Sequence, residues 1–359
     1  MTYKKIFFIL ALLLTITACQ TGRKAQRTRT FLPDTLVTSQ LRGGIEDAKN
    51  TTDSTDEASS SRANINKVEK YAAETWQGQL QLVMDSITNI DLFETTQLGL
   101  CIFDLTDDHM LYAVNANHRL RPASNQKLVT AIAALDLLDP DIHFTPTVLK
   151  PGWGWCWDDE ETGMTEFKAG GKRWNADTLY HETRECTLRE ILTPTMKKSD
   201  NMKAESIFWL LPGNKNLSKV TRKDCVRMID QVISKTAHTT TDYVIADGSG
   251  VSLYDYLTPH LLVMLLRHAY QNQNIFSILY PALPIAGIDG TLEKRMKGTR
   301  AEANVHAKTG TVTGVSTLSG YCTHPSGHIL AFSIMNQGLP KAAIGRAYQD
   351  EVCEILCGQ

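Results

Sequence analysis

The sequence has no strong excess of charge of either sign. Its 359 residues include 37 Lys and Arg and 39 Asp and Glu, which gives a formal net charge of −2. No basic stripe is present that would neutralise nucleic-acid phosphates, so we expect no nucleic-acid partner. No internal repeat is visible. With 42% hydrophobic residues, the chain has ample material for a packed core, in one large domain or two ordinary ones.

The eight cysteines have neither the C-x-x-C spacing nor the Cys/His clustering of a zinc site. Setting Cys19 aside, seven remain, and an odd number leaves at least one thiol unpaired in an oxidising compartment. We expect most of them to be buried as small apolar side chains. Cys156 and Cys186 flank a short Trp-rich segment, so a disulfide between them is a weaker expectation.

The apolar run Ile6–Leu14 is too short to span a bilayer and follows two lysines, which is typical of a signal peptide. The residues after it, ending in Ala18-Cys19, resemble a bacterial lipobox, in which Cys19 carries the lipid. An ordinary cleaved signal with an incidental cysteine is the alternative. We therefore predict a signal peptide over residues 1–19 and a periplasmic lipoprotein tethered to a membrane by its lipid. Gln20 is compatible with sorting to the outer membrane of a Gram-negative bacterium.

Residues 20–62 are rich in Ser, Thr, Asp, Arg and Lys and poor in large apolar side chains. Such a stretch buries too little surface to offset its ordering entropy, so it is predicted to be a flexible tether. The globular domain then spans 63–359, with a loop-rich insertion at 151–186.

The globular part is predicted to have an α+β fold, in which helices flank an antiparallel sheet and build a helical subdomain. Apolar residues at helical spacing predict helices over Val68–Ile87, from Pro122 onward, Met202–Leu211, Pro259–Gln271 and Lys341–Leu356. β-rich runs predict strands at Gln97–Phe103, Met110–Val114, Ser316–Thr323 and His328–Asn336, the last two joined as a hairpin. The strands lie at both ends of the chain, so the outer strands of the sheet are expected to come from both ends.

Three short motifs occur in order along the chain: Ser124-Asn125-Gln126-Lys127, Ser199-Asp200-Asn201 and Lys308-Thr309-Gly310. Each is common alone, since S-x-x-K arises by chance, S-D-N is a good helix cap and K-T-G opens many strands. Together they are typical of β-lactamases and penicillin-binding proteins.

The first motif supplies a nucleophile and its base. Ser124 is expected at a helix start, and an offset of three residues brings Lys127 to the same face. A serine hydroxyl needs an adjacent base, and a lysine can serve if its pKa is depressed. We expect burial and the cation of Lys308 to depress it.

The other two motifs are expected to bind substrate and move a proton. Ser199 is predicted to relay a proton to the leaving group, Asn201 to hold the acyl-side amide, and Asp200 to point away as a cap. The strand that carries the third motif offers an edge to an extended peptide. Lys308 and Thr309 would bind a terminal carboxylate, and Gly310 would give a ligand room.

The oxyanion hole is predicted from two backbone groups, the N–H of Ser124 and the N–H of Thr311.

The chain also resembles one particular family. Arg121–Phe144 is similar to the nucleophile region of the class C low-molecular-mass penicillin-binding proteins, the S13 family of D-alanyl-D-alanine carboxypeptidases. Asp247–Ser252 resembles the D-G-S-G loop of that family, and Leu283–Leu292 with Ala307–Thr311 resembles the segment that leads into its K-T-G strand.

This resemblance implies a β-lactamase/transpeptidase-like fold and an enzyme that cleaves D-Ala-D-Ala bonds of peptidoglycan stem peptides, as a carboxypeptidase or an endopeptidase. It implies acylation by β-lactams such as penicillin, and no metal or organic cofactor. One feature departs from the family. Its members commonly insert large accessory domains between the first two motifs, whereas here Ser124 and Ser199 are 75 positions apart (199 − 124).

Two other functions fit the same motifs. A β-lactamase would use the same first half-reaction, but no Glu-x-x-Leu-Asn segment lies between Asn201 and Lys308 to supply the class A base for water. A catalytically silent wall-binding lipoprotein would have no need of the intact catalytic set.

Overall fold

The structure is a computed structural model, and it describes residues 74–148, 167–169, 172–174, 180–181, 184–213, 220–236, 238–239 and 241–358. The predicted signal peptide, Cys19, the tether and Cys156 lie outside these residues, so the predictions made for them stay predictions. Within the described ranges, no helix is both long enough and apolar enough to cross a membrane.

The described strands and helices follow the predicted order. The strands are β1 (Gln97–Asp104), β2 (His109–Val114), β3 (His143–Phe144), β4 (Thr147–Val148), β5 (Phe167–Ala169), β6 (Lys172–Trp174), β7 (Tyr180–His181), β8 (Cys186–Thr187), β9 (His306–Val312), β10 (Val315–Thr323) and β11 (Ile329–Gln337). The helices are α1 (Trp76–Thr88), α2 (Leu92–Thr95), α3 (Gln126–Leu137), α4 (Leu188–Lys197), α5 (Asn201–Leu210), α6 (Arg222–Ile233), α7 (Pro259–Gln271), α8 (Gln273–Ala282) and α9 (Ala342–Leu356).

The main sheet has the strand order β2-β1-β11-β10-β9, with every neighbouring pair antiparallel. Strand β1 pairs with β11 from Gln97 opposite Gln337 to Asp104 opposite Leu330. The first and last strands of the chain are therefore hydrogen-bonded neighbours, and β2 and β9 form the edges. The α+β prediction is confirmed, including a sheet assembled from both ends of the chain.

Apolar side chains fill both faces of the sheet. On one face, a core that includes Met84, Phe332 and Val352 packs beneath α1 and α9. On the other face, a larger core that includes Ile132 and Leu262 lies among helices α3 to α8, which form the helical subdomain. Buried thiols contribute to these cores, as expected: Cys101, Cys225, Cys322, Cys353 and Cys357.

Helix α3 lies at the centre of the helical subdomain. The apolar spacing predicts one buried face, but every residue from Gln126 to Leu135 is buried. Neighbouring helices cover α3 on several sides, since α4, α5, α6, α7 and α8 all contact it. A polar side chain on α3 near the site, such as Lys127, is therefore held inside the protein.

The insertion at 151–186 was expected to consist of loops, but short strands are found in and around it. β3 pairs with β8, β4 with β7 and β5 with β6, so the pairs are nested one inside the next. The prediction missed them because strands of two or three residues are too short to show a period.

Candidate active site

Ser124 lies on a short 3-10 turn, Ala123–Asn125, that runs directly into α3. It is half-buried, so its hydroxyl is accessible. The turn is held against β10, because Thr317 Oγ1 donates to Pro122 O at 2.8 Å and Asn125 Nδ2 donates to Ser319 Oγ at 2.7 Å. Ala123 has a φ of +46°, a left-handed conformation that an alanine rarely adopts and that this packing maintains.

Lys127 is fully buried, and its Nζ has three close oxygen neighbours. Nζ lies 3.0 Å from Ser124 Oγ, 2.7 Å from Asn201 Oδ1 and 2.7 Å from Ser249 O. Asn201 Oδ1 and Ser249 O can only accept hydrogen bonds, so two N–H groups of the Lys127 amine donate to them. In the neutral amine, the remaining lone pair then faces Ser124. The geometry thus suits a neutral lysine that accepts the serine proton.

Burial lowers the pKa of Lys127 to about 8. Four carboxylates act in the opposite direction and favour the ammonium form: Asp247, Glu205, Asp200 and Asp255. The balance leaves an amine that loses its proton near neutral pH, as a general base must.

Acidic side chains form a buried layer behind Lys127. Glu205 Oε1 accepts from the N–H of Gly248 at 3.0 Å, and Asp247 accepts from the N–H groups of Ser249, Gly250 and Ser252. Burial, followed by the negative charge of Asp247, raises the pKa of Glu205 to about 8.

Burial and the charge of Asp247 also raise the pKa of Asp255, which accepts from the N–H of Ala246 at 2.7 Å. The layer fixes the loop that presents Ser249 O to Lys127. Gly250 is required in this loop: it has a φ of +80°, and a Cβ there would overlap Ala123 O.

The second motif joins α4 to α5. Ser199 has a φ of +55°, so the chain turns sharply there. Asp200 caps α5 by accepting from the N–H of Lys203 at 3.1 Å, which confirms its expected role as a cap. Asn201 is the first residue of α5 and reaches Lys127.

Lys308 lies on β9 and is fully buried. Its Nζ donates to Ser199 Oγ at 2.9 Å and to Thr309 O at 2.8 Å, so it joins the second and third motifs. Burial lowers the pKa of Lys308, and the positive charge of Lys127 lowers it further. Repulsion between two cations is mutual, so it opposes protonation of Lys127 as well as of Lys308, while burial is the largest cause of the lowered pKa of Lys127.

Among the described residues, the outer edge of β9 is paired at its first two residues only. Ile285 forms a bridge with His306, and the N–H of Ala307 donates to Pro284 O. From Lys308 onward the strand borders the Ser124 turn. A Cβ at Gly310 would lie 2.9 Å from Ser124 N and would overlap Thr317 Oγ1. The glycine thus makes room for the Ser124 turn and for Thr317, and the expected close approach of a ligand at this position stays a prediction.

Thr309 and Thr311 flank Gly310 on this edge, half-buried and exposed respectively. The structure thus brings all three motifs to one cleft between the sheet and the helical subdomain. The sequence interpretation did not anticipate Glu205 and Asp255, because a single acidic residue in a helix or loop carries no signal of burial. Asp247 was noted only within its glycine-rich loop.

Comparisons with known proteins agree with this arrangement. The model of the D-Ala-D-Ala carboxypeptidase 3 (S13) family matches residues 80–160 and 165–357. The chain belongs to this S13 family. A D-alanyl-D-alanine carboxypeptidase of Actinomadura sp. (strain R39) is 36% identical over 170 residues, which are 46% of this chain and 31% of that protein. The DacB carboxypeptidase of Haemophilus influenzae is 30% identical over 147 residues, 40% of this chain and 30% of that protein.

The chain thus spans about a third of the length of the curated relatives it matches. Among solved structures, penicillin-binding protein 4 of Haemophilus influenzae matches with a TM-score of 0.58 at 16% identity, over 75% of this chain and 98% of that one. A β-lactamase of Chitinophaga pinensis matches with a TM-score of 0.53 at 18% identity, over 75% and 96%. The fold is therefore the one that penicillin-binding proteins and β-lactamases share, as the sequence resemblance implied.

Proposed function

We propose that this S13 family member is a serine-type D-Ala-D-Ala carboxypeptidase that hydrolyses peptidoglycan stem peptides through an acyl-enzyme on Ser124. The observation that carries the proposal is the position of Lys127 Nζ, which lies 3.0 Å from Ser124 Oγ while two acceptors hold its other N–H groups. This pair supplies a nucleophile with a base in hydrogen-bond reach, the requirement for covalent catalysis by serine.

In the proposed acylation step, Ser124 Oγ attacks the carbonyl carbon of the penultimate D-alanine and Lys127 Nζ takes the serine proton. The oxygen of the tetrahedral intermediate is held by the N–H groups of Ser124 and Thr311. Asn201, whose Oδ1 is engaged by Lys127, uses its Nδ2 for the amide on the acyl side.

The peptide C–N bond then breaks, and the leaving D-alanine amine needs a proton. Ser199 Oγ, which accepts from Lys308 Nζ at 2.9 Å, is assigned that transfer, and the proton that Lys127 took from Ser124 replaces the one that Ser199 gives up. Lys308 and Thr309 bind the terminal carboxylate, which makes the site selective for a free C-terminus. Water next attacks the ester on Ser124 and gives a proton to Lys127, which passes it to the serine oxygen as the ester C–O bond breaks.

The first test is intact-mass spectrometry of the purified protein after exposure to benzylpenicillin, with Ser124→Ala as the matched control. We expect one penicillin mass on the wild type and none on the variant. Release of free D-alanine from a peptide that ends in D-Ala-D-Ala tests the natural reaction, and cleavage of cross-linked dimers tests the endopeptidase activity.

Other outcomes would contradict the proposal in distinct ways. If penicillin is destroyed and no adduct accumulates, the protein is a β-lactamase. If there is neither an adduct nor release of D-alanine, and binding to peptidoglycan persists in Ser124→Ala, the protein is a silent wall-binding protein on the same fold.

We also propose that the protein is exported and anchored by a lipid on Cys19, which would place the site in the periplasm, where peptidoglycan lies. The lipobox-like residues that end at Cys19 support this. Labelling of cells with a clickable fatty acid should mark the wild type but not Cys19→Ser. Equal labelling of both would refute the anchor without affecting the proposed catalysis.

A further inference from the structure

The segment Leu283–Leu292 connects the second and third motifs. On one side it follows β9, through the bridge between Ile285 and His306 and the bond from the Ala307 N–H to Pro284 O at 2.9 Å. The sequence interpretation noted this segment only for its family resemblance and gave it no role.

On its other side the segment is fixed to the end of α4. Lys197 Nζ donates to Leu283 O at 2.6 Å and forms an ion pair with Asp289, with distances of 2.8 and 2.6 Å to the two carboxylate oxygens. The Lys197 side chain is only 15% exposed, so water screens this pair less than a surface pair. Asp289 also accepts from the N–H of Ile285 at 2.9 Å. Lys197 precedes Ser199 by two residues, so the ion pair joins the segment to the catalytic serine loop.

Gly290 permits this close approach. Its φ is +59°, and a Cβ there would lie 2.8 Å from Lys197 O. The chain then turns through the short 3-10 helix Gly290–Leu292. As a result, Thr291 is exposed beside the K-T-G strand, and Thr309 Oγ1 donates to Thr291 Oγ1 at 2.7 Å.

This hydrogen bond bears on how a carboxylate is bound. A carboxylate can only accept hydrogen bonds, so each hydroxyl that binds a carboxylate must act as the donor. Thr309 donates its proton to Thr291, which leaves the proton of the exposed Thr291 hydroxyl for a partner in the cleft. The two hydroxyls therefore form a donor chain that ends at the surface a substrate carboxylate would meet.

We propose, on the basis of the function proposed above, that Thr291 is a carboxylate-recognition residue whose hydroxyl donates to the terminal carboxylate of the D-Ala-D-Ala peptide beside Lys308, in the place assigned above to the Thr309 hydroxyl. The Lys197–Asp289 ion pair acts as a positioning pair that holds Thr291 at this place. Thr291 thus contributes to the selection of substrates with a free C-terminal carboxylate.

The test compares acylation by two compounds that differ only at the carboxylate, benzylpenicillin and its methyl ester. In Thr291→Val, which keeps the shape and loses the hydroxyl, we expect acylation by benzylpenicillin to slow by about 10- to 100-fold, the range for a hydrogen bond to a charged group. Acylation by the ester should stay unchanged, so the preference for the free carboxylate collapses.

Two further variants separate recognition from structure. Thr291→Ser keeps the hydroxyl and should restore the preference. Thr323→Val removes an exposed threonine hydroxyl from the far end of β10, where the backbone alone bonds to Asn304, and should change neither rate.

A uniform loss with both compounds in Thr291→Val would show a purely structural role, and an unchanged preference would show that Thr291 does not bind the carboxylate. Either result overturns this inference while the adduct on Ser124 still forms. Failure of the proposed function itself looks different, because the wild type would then either react with neither compound or destroy penicillin without accumulating an adduct.

Discussion

The site contains two fully buried lysines, one on helix α3 and one on strand β9, and their surroundings differ. Lys127 on α3 has carboxylates around it, which favour its protonated form against the effect of burial. Lys308 on β9 has burial and the charge of Lys127 acting on its pKa in the same direction, with no carboxylate among the causes found in the described part of the chain. The protein thus supplies the counter-charge of Lys127, whereas the proposed function assigns that of Lys308 to a substrate carboxylate.

This difference assigns separate tasks to the two sides. On the helical side, a closed network tunes one proton transfer. On the strand side, the proposed function requires an anionic ligand to supply the charge that Lys308 lacks. The predictions below test whether the two sides can be changed independently.

The largest expected effect separates the two lysines by function. Lys127→Met removes the base, so the rate of acylation by benzylpenicillin should fall by a factor of about 10³ or more. Lys308→Met keeps the base and removes a carboxylate partner, so the loss should be about 10- to 100-fold and should appear mainly as weaker binding. Time courses of adduct formation at several penicillin concentrations measure both. If both variants lose the same factor in the acylation rate of the enzyme–penicillin complex, both lysines take part in the chemical step.

A smaller effect is expected where the two sides touch. Gly310→Ala would place a methyl group 2.9 Å from Ser124 N and against Thr317 Oγ1, so the nucleophile turn must shift. We expect a loss of about 1–3 kcal/mol in the free energy of unfolding, as for other overpacked sites, and slower acylation. Chemical denaturation and adduct formation measure the two losses. A variant with wild-type stability and acylation would show that the turn can move freely.

The stability effects of the two lysine variants should have opposite signs. Lys127→Met leaves the buried carboxylates without their cation, so the free energy of unfolding should fall by about 1–3 kcal/mol. Lys308→Met removes a buried charge for which no carboxylate partner is found among the described residues, so the free energy of unfolding should rise by about 1 kcal/mol. Urea denaturation of both variants beside the wild type decides this. A loss of stability in both would mean that Lys308 also has an internal counter-charge.

The smallest effect concerns the pH dependence. Lys127 must be neutral to accept the serine proton, so acylation should rise with pH around its pKa of about 8. Asp200→Asn keeps a capping side chain at α5 and removes a negative charge that raises the pKa of Lys127, so the midpoint should move to lower pH by less than about one unit. Rate profiles from pH 6 to 9 measure the midpoint. A shift to higher pH would contradict the role given to Asp200.

The sequence predicts the order of the elements well but leaves out several helices. Helix α5, predicted at Met202–Leu211, is observed at Asn201–Leu210, and α7 agrees at both ends. Helices α4 and α6 were not predicted, although capping boxes at Thr187 and Thr221 mark where they begin. Both helices also have a regular apolar face, formed by Leu188, Ile191, Leu192 and Met196 in α4 and by Cys225, Ile229, Val232 and Ile233 in α6. Two signals of these helices were therefore present in the sequence and were not used.

For the site, the sequence predicts which residues meet but not what tunes them. Ser124, Lys127 and Ser199 belong to motifs whose spacing carries information, and the structure brings them together. The roles proposed for Glu205 and Thr291 depend on tertiary contacts. Glu205 depends on its burial beside the 247–252 loop, and Thr291 depends on the hydrogen bond from Thr309 on strand β9. The spacing of residues along the chain does not reveal such contacts, because only tertiary packing creates them.

The partial cover on β9 also bears on how the protein avoids aggregation. An open sheet edge is a template on which a foreign strand can add, and β9 is such an edge. Because the segment at 284–286 pairs with the first two residues of β9, the described contacts leave the run from Lys308 to Val312 open, which is about 17 Å of strand. A nascent chain in which this segment has not yet docked exposes the whole edge. The contact between this segment and β9 therefore shortens the edge on which the folded protein could pair with its own copies.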